Sequence, residues 1–280
     1  SWGMMGNDNI TAYQYLSMYS FNTDSYYAFG KTPVSVQSIY ETVTANPLVT
    51  WETAKTWNIG FSSQFLNGKL GLDLDYFQSN RNDILITRNA SIPTYSGLSL
   101  PAENLGKVKN HGFEAIATYR DSKGDFEWGV TGNVTYAKNE VVYAYEAADT
   151  PAWQRETGHP IDGGTYYKAL GIYQTQEQIE STPHLSGTKI GDLIYQDTNK
   201  DGNITWDDAV RRDKSATPKW IFGLTLNGSW KGMDVNAFFQ GQADAEILVQ
   251  PTMNMATDFY EGRWSESNTA EQNAAAKWPR

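Results

Sequence analysis

The sequence predicts an all-β chain, a partial transmembrane antiparallel β-barrel of the bacterial outer-membrane type, and three observations carry that prediction. Apolar and polar residues alternate with a period of two in three separate hairpins. The apolar faces run free of charge for about 9–11 residues per strand, the length of a tilted bilayer crossing. The connections alternate between tight turns and long segments, as short periplasmic turns and long extracellular loops do.

At the N-terminus, Ser1-Trp2-Gly3-Met4-Met5 lacks the basic segment and apolar run of a signal peptide, so a leader was removed or the chain begins mid-protein. Tyr13, Tyr15, Tyr19 and Phe21 alternate weakly. The first strong strand sets Trp57, Ile59, Phe61 and Phe65 on one face against Asn58, Gly60, Ser62 and Gln64. Asn67-Gly68 supplies a hairpin turn, and the return strand puts Leu70, Leu72, Leu74 and Tyr76 opposite Gly71, Asp73 and Asp75. A second hairpin runs through Phe113, Ala115, Ala117 and Tyr119, turns over Asp121 to Asp125, and returns through Phe126, Trp128, Val130, Val134 and Tyr136. A third uses Trp220, Phe222, Leu224, Leu226 and Trp230, turns at Lys231-Gly232, and returns through Met233, Val235, Ala237 and Phe239. Segments of roughly 35 residues after Phe77 and roughly 80 after Tyr136 are the long connections. Phe65, Tyr119, Phe126, Trp128 and Trp230 sit beside the tight turns, where an interfacial aromatic girdle belongs.

Composition narrows the function. A net charge of −10 and a pI near 4.8 leave no clustered cations for a phosphate backbone, so nucleic acid is not an expected partner. The absence of cysteine removes thiol catalysis, thiolate-bound zinc and disulfides. No stretch approaches the roughly 20 apolar residues of a spanning helix, and the mean hydropathy is −0.55. A barrel needs no such stretch, because only alternate residues face lipid. His111, His159 and His184 have no histidine four residues away and no nucleophile motif nearby, so no catalytic residue is assigned and an enzyme is not expected. Asp73 and Asp75 share a face and read as lumen lining rather than an acid/base pair. The Asn-x-Ser/Thr triplets at Asn89, Asn133, Asn203 and Asn227 receive no role.

One motif carries specific chemistry. From Asp197 to Asp208 the chain matches an EF-hand-type calcium loop at its first, third, fifth and sixth positions: Asp197, Asn199, Asp201 and Gly202. Asn203 would add a backbone carbonyl and Ile204 would anchor the loop, while Asp208 stands where a bidentate Glu is expected. The flanks are strand-like, so a Ca²⁺ ion here would staple a loop and not work a switch. The alternative is an Asx-rich turn that binds nothing.

Beyond these patterns, the wording of the chain resembles the SusC/RagA type of TonB-dependent transporter. The resemblance is carried by Ser1 to Ile10, Asn46 to Phe61, Leu70 to Ile86, Glu103 to Glu114 and Tyr166 to Ile179. Further blocks, Gly191 to Asp208, Ala216 to Gly241 and the terminal Ala274 to Arg280, extend it over nearly the whole chain. It implies a barrel of about 22 strands around an N-terminal plug. It also implies a Gram-negative outer-membrane location and import of oligosaccharides or peptides driven by the TonB-ExbB-ExbD complex. A SusD-like surface lipoprotein would cap the barrel.

On that resemblance residues 1–280 are part of the barrel domain, with the signal peptide, TonB box, plug and last strands outside them. Trp153, Tyr166, Tyr167 and Tyr173 are candidates to stack on sugar rings, with loop packing as their other role. Two readings compete: a passive porin without a plug, and a secreted calcium-stabilised carbohydrate-binding β-sandwich that is soluble without detergent.

Overall fold

The computed structural model describes residues 1–22, 26–27, 31, 34–35, 37–88, 100–249 and 256–280. They form two compact units, one of residues 1–149, 156–161 and 219–243, the other of residues 150–155, 162–218 and 244–280.

The first unit is a seven-stranded sheet: β1 (Trp2–Asn7), β2 (Glu52–Phe65), β3 (Leu70–Thr87), β4 (Ala102–Lys123), β5 (Phe126–Tyr143), β6 (Trp220–Trp230) and β7 (Met233–Ala243). Spatial order equals chain order, and every neighbouring pair is antiparallel. That is an up-and-down meander, the connectivity that closes into a barrel without crossovers. The period-two alternation produces it directly, since each hairpin keeps its apolar set on one face only in this register.

Several expectations need correction. The strands of 14, 18, 22 and 18 residues from β2 to β5 exceed a bilayer crossing, so the connections after Phe77 and Tyr136 are shorter than read. Polar residues beyond the apolar runs continue the ladders, because ladder hydrogen bonds do not depend on which side chains flank them. A bulge marks the change: pairing slips between Arg81 and Ile84, where Asp83 takes φ 62°. The Asp121–Asp125 turn narrows to Gly124-Asp125, with Lys123 opposite Phe126. Asn67-Gly68 lies inside a four-residue connection between the paired Phe65 and Leu70. Lys231-Gly232 is the two-residue turn expected, with φ 48° and 83° and Trp230 opposite Met233. Tyr13 and Tyr15 lie in a turn, whereas Tyr19 and Phe21 belong to Met18–Asn22, paired with Ser38–Val43. The Trp2–Asn7 strand, paired with Glu52–Trp57, was not anticipated.

Among the described residues the second unit is built from short ribbons, Thr165–Tyr166 with Val210–Arg211 and Ala169–Ile172 with Leu193–Tyr195, and from three short α-helices. These are α1 (Gln176–Ser181), α2 (Ala256–Gly262) and α3 (Ala270–Ala274). Helices this short do not stand alone. Reciprocal Thr175/Gln178 and Thr269/Gln272 capping boxes hold α1 and α3, and α1 also buries Ile179. The unit's core is Tyr173, Ile179, Ile204, Ala209 and Trp264. Gly191, at φ 92°, is required there: a Cβ would meet the Trp264 ring at 2.4 Å.

Candidate functional site

The wall has two chemically different faces. On one, register aligns Ile59, Tyr76, Phe113, Tyr136 and Trp220 in a single row across five strands. Phe113, Tyr136 and Trp220 touch one another, with ring centroids 4.7 to 5.9 Å apart. Nearer the tight turns the same face carries Phe65, Tyr119, Trp128, Phe126 and Trp230, with Tyr119 and Trp128 5.3 Å apart. Between the Trp220 row and the Phe65 and Tyr119 residues lie Phe61, Leu72, Leu74, Ala115, Ala117, Val130, Val134, Phe222, Leu224 and Leu226 and no charge; Asp121, opposite Trp128, and Lys123, opposite Phe126, are charges at the turn end of this face.

The spacing of the two rows decides what this face meets. From Trp220 to Trp230 is about 33 Å along the strand, or about 25 Å along the membrane normal at a tilt near 40°. That is the height of a barrel's apolar band. Ile59, Phe61, Phe222, Met233, Val235 and Phe239 are exposed on it, and contiguous exposed apolar side chains of this kind mark a surface that meets lipid or a partner. The girdle at the long-connection end went unrecognised in the sequence. Its signal was there: each apolar run that pairs at that end opens or closes on an aromatic residue.

The opposite face is polar. Thr118, Thr131 and Thr225 line up across β4, β5 and β6, and the Ser62 hydroxyl donates to Asp73. Asp75 pairs across the ladder with Glu114, so both aspartates lie on this face as read. Near the tight turns a hollow of about 700 Å³ is lined by Arg120, Glu127, Asn227, Ser229, Asp234 and Asn236. Asp121 belongs instead to the apolar face, opposite Trp128, where it accepts from the Lys69 ammonium at 2.6 Å and from the Tyr119 hydroxyl at 3.3 Å at the turn end.

The second unit holds the motif residues. A cavity of about 580 Å³ is lined by Tyr166, Asp162, Lys168, Lys214, Arg212 and Glu246, among others. Arg212 donates twice to Glu246, at 2.9 and 2.6 Å, which holds that carboxyl below its ordinary range. Of the stacking candidates Tyr166 is 49% exposed, whereas Tyr173 is 1% exposed with its hydroxyl against Thr182 and Pro183. Tyr173 is therefore core. Tyr167 packs on Tyr195 and Trp206, and the Trp153 indole donates to the Asp207 carbonyl at 2.7 Å. Burial pushes the Tyr195 phenol up.

Loop 197–208 is closed by its own hydrogen bonds. Asp197 accepts from the backbone N–H groups of Lys200 and Gly202 at 2.7 and 2.9 Å, and Gly202 needs its φ of 85° to present that N–H. Asn199 accepts from Asp201, and Asp201 from Asn203. The Asn203 N–H and the Asn199 amide hold the Asp201 carboxyl below its ordinary value. Asp208, 0% exposed, accepts from Thr198 and Asn199 on one oxygen and from Thr205 on the other. The donor set therefore fits a calcium ion in part. Asp197, Asn199 and Asp201 present oxygens, while Asp208 is turned onto the backbone. Among the described residues no group of three or more His, Cys, Asp or Glu side chains is arranged to hold a metal.

Residues 10–264 match the family TonB dependent receptor-like, beta-barrel. The chain belongs to the TonB-dependent receptor family. Members are outer-membrane β-barrel proteins, and the meander described above is part of such a barrel. TonB-dependent receptor P3 of Formosa agariphila is 29% identical over 96% of this chain and 28% of its own length. TonB-dependent receptor SusC of Bacteroides thetaiotaomicron is 25% identical over 99% of this chain and 27% of its own length. This chain thus spans under a third of each. Among solved structures, the RagAB peptide transporter superposes with a TM-score of 0.65 at 20% identity, covering 100% of this chain and 30% of that one. The open-open state of the RagAB peptide importer gives 0.63 at 21% identity, over 97% and 27%. At such identity the likeness concerns the fold.

Proposed function

We propose that the protein carrying this TonB-dependent receptor chain is an active outer-membrane importer, taking up oligosaccharides, with peptides as the second substrate class, together with a SusD-like surface lipoprotein. The observation that carries the reading is the two-girdle wall, apolar and uncharged between its girdles on one face and polar on the other, within a family defined by TonB dependence. In this reading the polar face with its hollow near the tight turns abuts a plug. The cavity at Tyr166 supplies the chemistry sugars need: an exposed aromatic ring beside planar, paired guanidinium and carboxylate groups. RagAB, named as a peptide importer, keeps peptides in view. Uptake of labelled oligosaccharides by cells with the intact gene, with and without TonB, tests the proposal. Transport should vanish without TonB, and undiminished uptake would overturn it in favour of a passive pore.

For loop 197–208 the proposal is a staple that calcium strengthens, with Asp197, Asn199, Asp201 and the Asn203 carbonyl as ligands and Asp208 locking the backbone. Titrating the intact protein in detergent with calcium and then chelator should raise and then lower its melting temperature. No change in melting or bound metal removes the ion.

A further inference from the structure

Above the aromatic row at the long-connection end, the outward face changes character abruptly. One row up, register aligns Trp57, Gln78, His111 and Lys138; the next holds Lys55, Asn80, Lys109 and Glu140. The side chains confirm the shared face: Lys109 and Lys138 approach the two oxygens of Glu140 at 3.0 and 3.7 Å. Lys55 is exposed and makes no ion pair among the described residues. The two rows thus hold three ammonium groups and one carboxylate, Glu140, which is shared by Lys109 and Lys138, in a chain whose net charge is −10. On the polar face the row between these two holds Thr56, Ser79, Asn110 and Asn139, and the next row out carries Arg81, neutralised by Glu52 at 3.0 Å. The excess of cations over carboxylates at this height therefore faces outward.

Their height is equally specific. Rows two and four residues beyond the girdle lie about 5 and 10 Å further along the membrane normal. The headgroup layer begins where the hydrocarbon ends and is about 5–8 Å deep, so the Lys138 row lies within it and the Lys55 and Lys109 row a few ångströms above it, within reach of a flexible lysine stem.

We propose that Lys55, Lys109 and Lys138, with the amide groups of Gln78 and Asn80, form a binding strip for the phosphate-bearing headgroup of an outer-leaflet lipid. The inference rests on the reading of this face as membrane-embedded. Charge complementarity selects the occupant, because cations at headgroup level bind anionic lipid. Neighbouring strands about 4.8 Å apart spread the ammonium groups over the width of one headgroup.

Native mass spectrometry of the intact protein in mild detergent, titrated with phosphorylated and with dephosphorylated lipid A, tests this. Adducts should form with the phosphorylated lipid alone. The K55Q/K109Q/K138Q variant should weaken them roughly a hundredfold at low salt, and E140Q should strengthen them. Inorganic phosphate at the lipid concentration should not displace the lipid, which separates a headgroup site from a free-anion site. Equal binding of dephosphorylated lipid, displacement by inorganic phosphate, or unchanged adducts in the triple variant overturns the strip. Heat-dependent gel mobility reports that the variants keep their barrel. Failure of the membrane reading shows differently, as wild-type protein that does not float with vesicles.

Discussion

Val141 is the one hydrophobic residue of the wall that reaches core-like burial among the described residues, whereas the smaller second unit buries Tyr173, Ile179, Ile204, Ala209 and Trp264. The difference follows from two solvents. The wall satisfies its backbone by strand-to-strand ladders and leaves its apolar side chains for lipid, which needs no folded core. The second unit has ribbons of two to four residues and must hold itself together in water with a small cluster, capping boxes and turns made by its own side chains. Truncating an apolar residue therefore means different things in the two regions.

The sharpest contrast is at Tyr173. Tyr173→Ala should cost the second unit about 3–5 kcal/mol, because it opens a cavity and strands the hydroxyl partner Thr182. Hydrogen exchange of the intact protein in detergent would register this as lost protection across residues 169–195, with the wall unchanged. In the wall the damaging change is a charge. Leu224→Arg, near the middle of the lipid face, should cost about 2–4 kcal/mol of folding in vesicles, read from urea titration. Its neighbour Thr225→Arg faces the polar side and should cost far less. Equal costs would break the assignment of faces.

Asp208→Ala should destabilise loop 197–208 by about 2–3 kcal/mol, because three backbone N–H groups lose a buried charged acceptor. Local exchange at Thr198, Asn199 and Thr205 is the readout. The smallest effect is at the Arg212–Glu246 pair, which is largely exposed. The Glu246 carboxyl is held below its ordinary value by Arg212, so the pair's contribution is present above the unfolded carboxylate pKa of about 4.3 and fades as pH falls below it. Melting of Glu246→Gln should accordingly differ slightly from wild type at neutral pH and converge with it in acid.

Much of the wall was legible because a two-residue period needs no distant partner: Trp220–Trp230 and Met233–Ala243 pair as their alternation and the Lys231-Gly232 turn require. Tyr173 was not legible, since an aromatic residue in a polar segment reads the same whether it stacks on a ligand or plugs a core. The calcium-type motif was visible as spacing, but not that Asp208 turns its oxygens to backbone N–H groups.

By itself the sequence determined the all-β class, the hairpins and which side chains share each face, because alternation and turn chemistry act between residues a few positions apart. Only the tertiary structure decided the rows. Tyr76, Phe113, Tyr136 and Trp220 become a girdle, and Lys55, Lys109 and Lys138 a cationic strip, through register across strands far apart in sequence. Height above the membrane is a property of the sheet, and no single strand carries it.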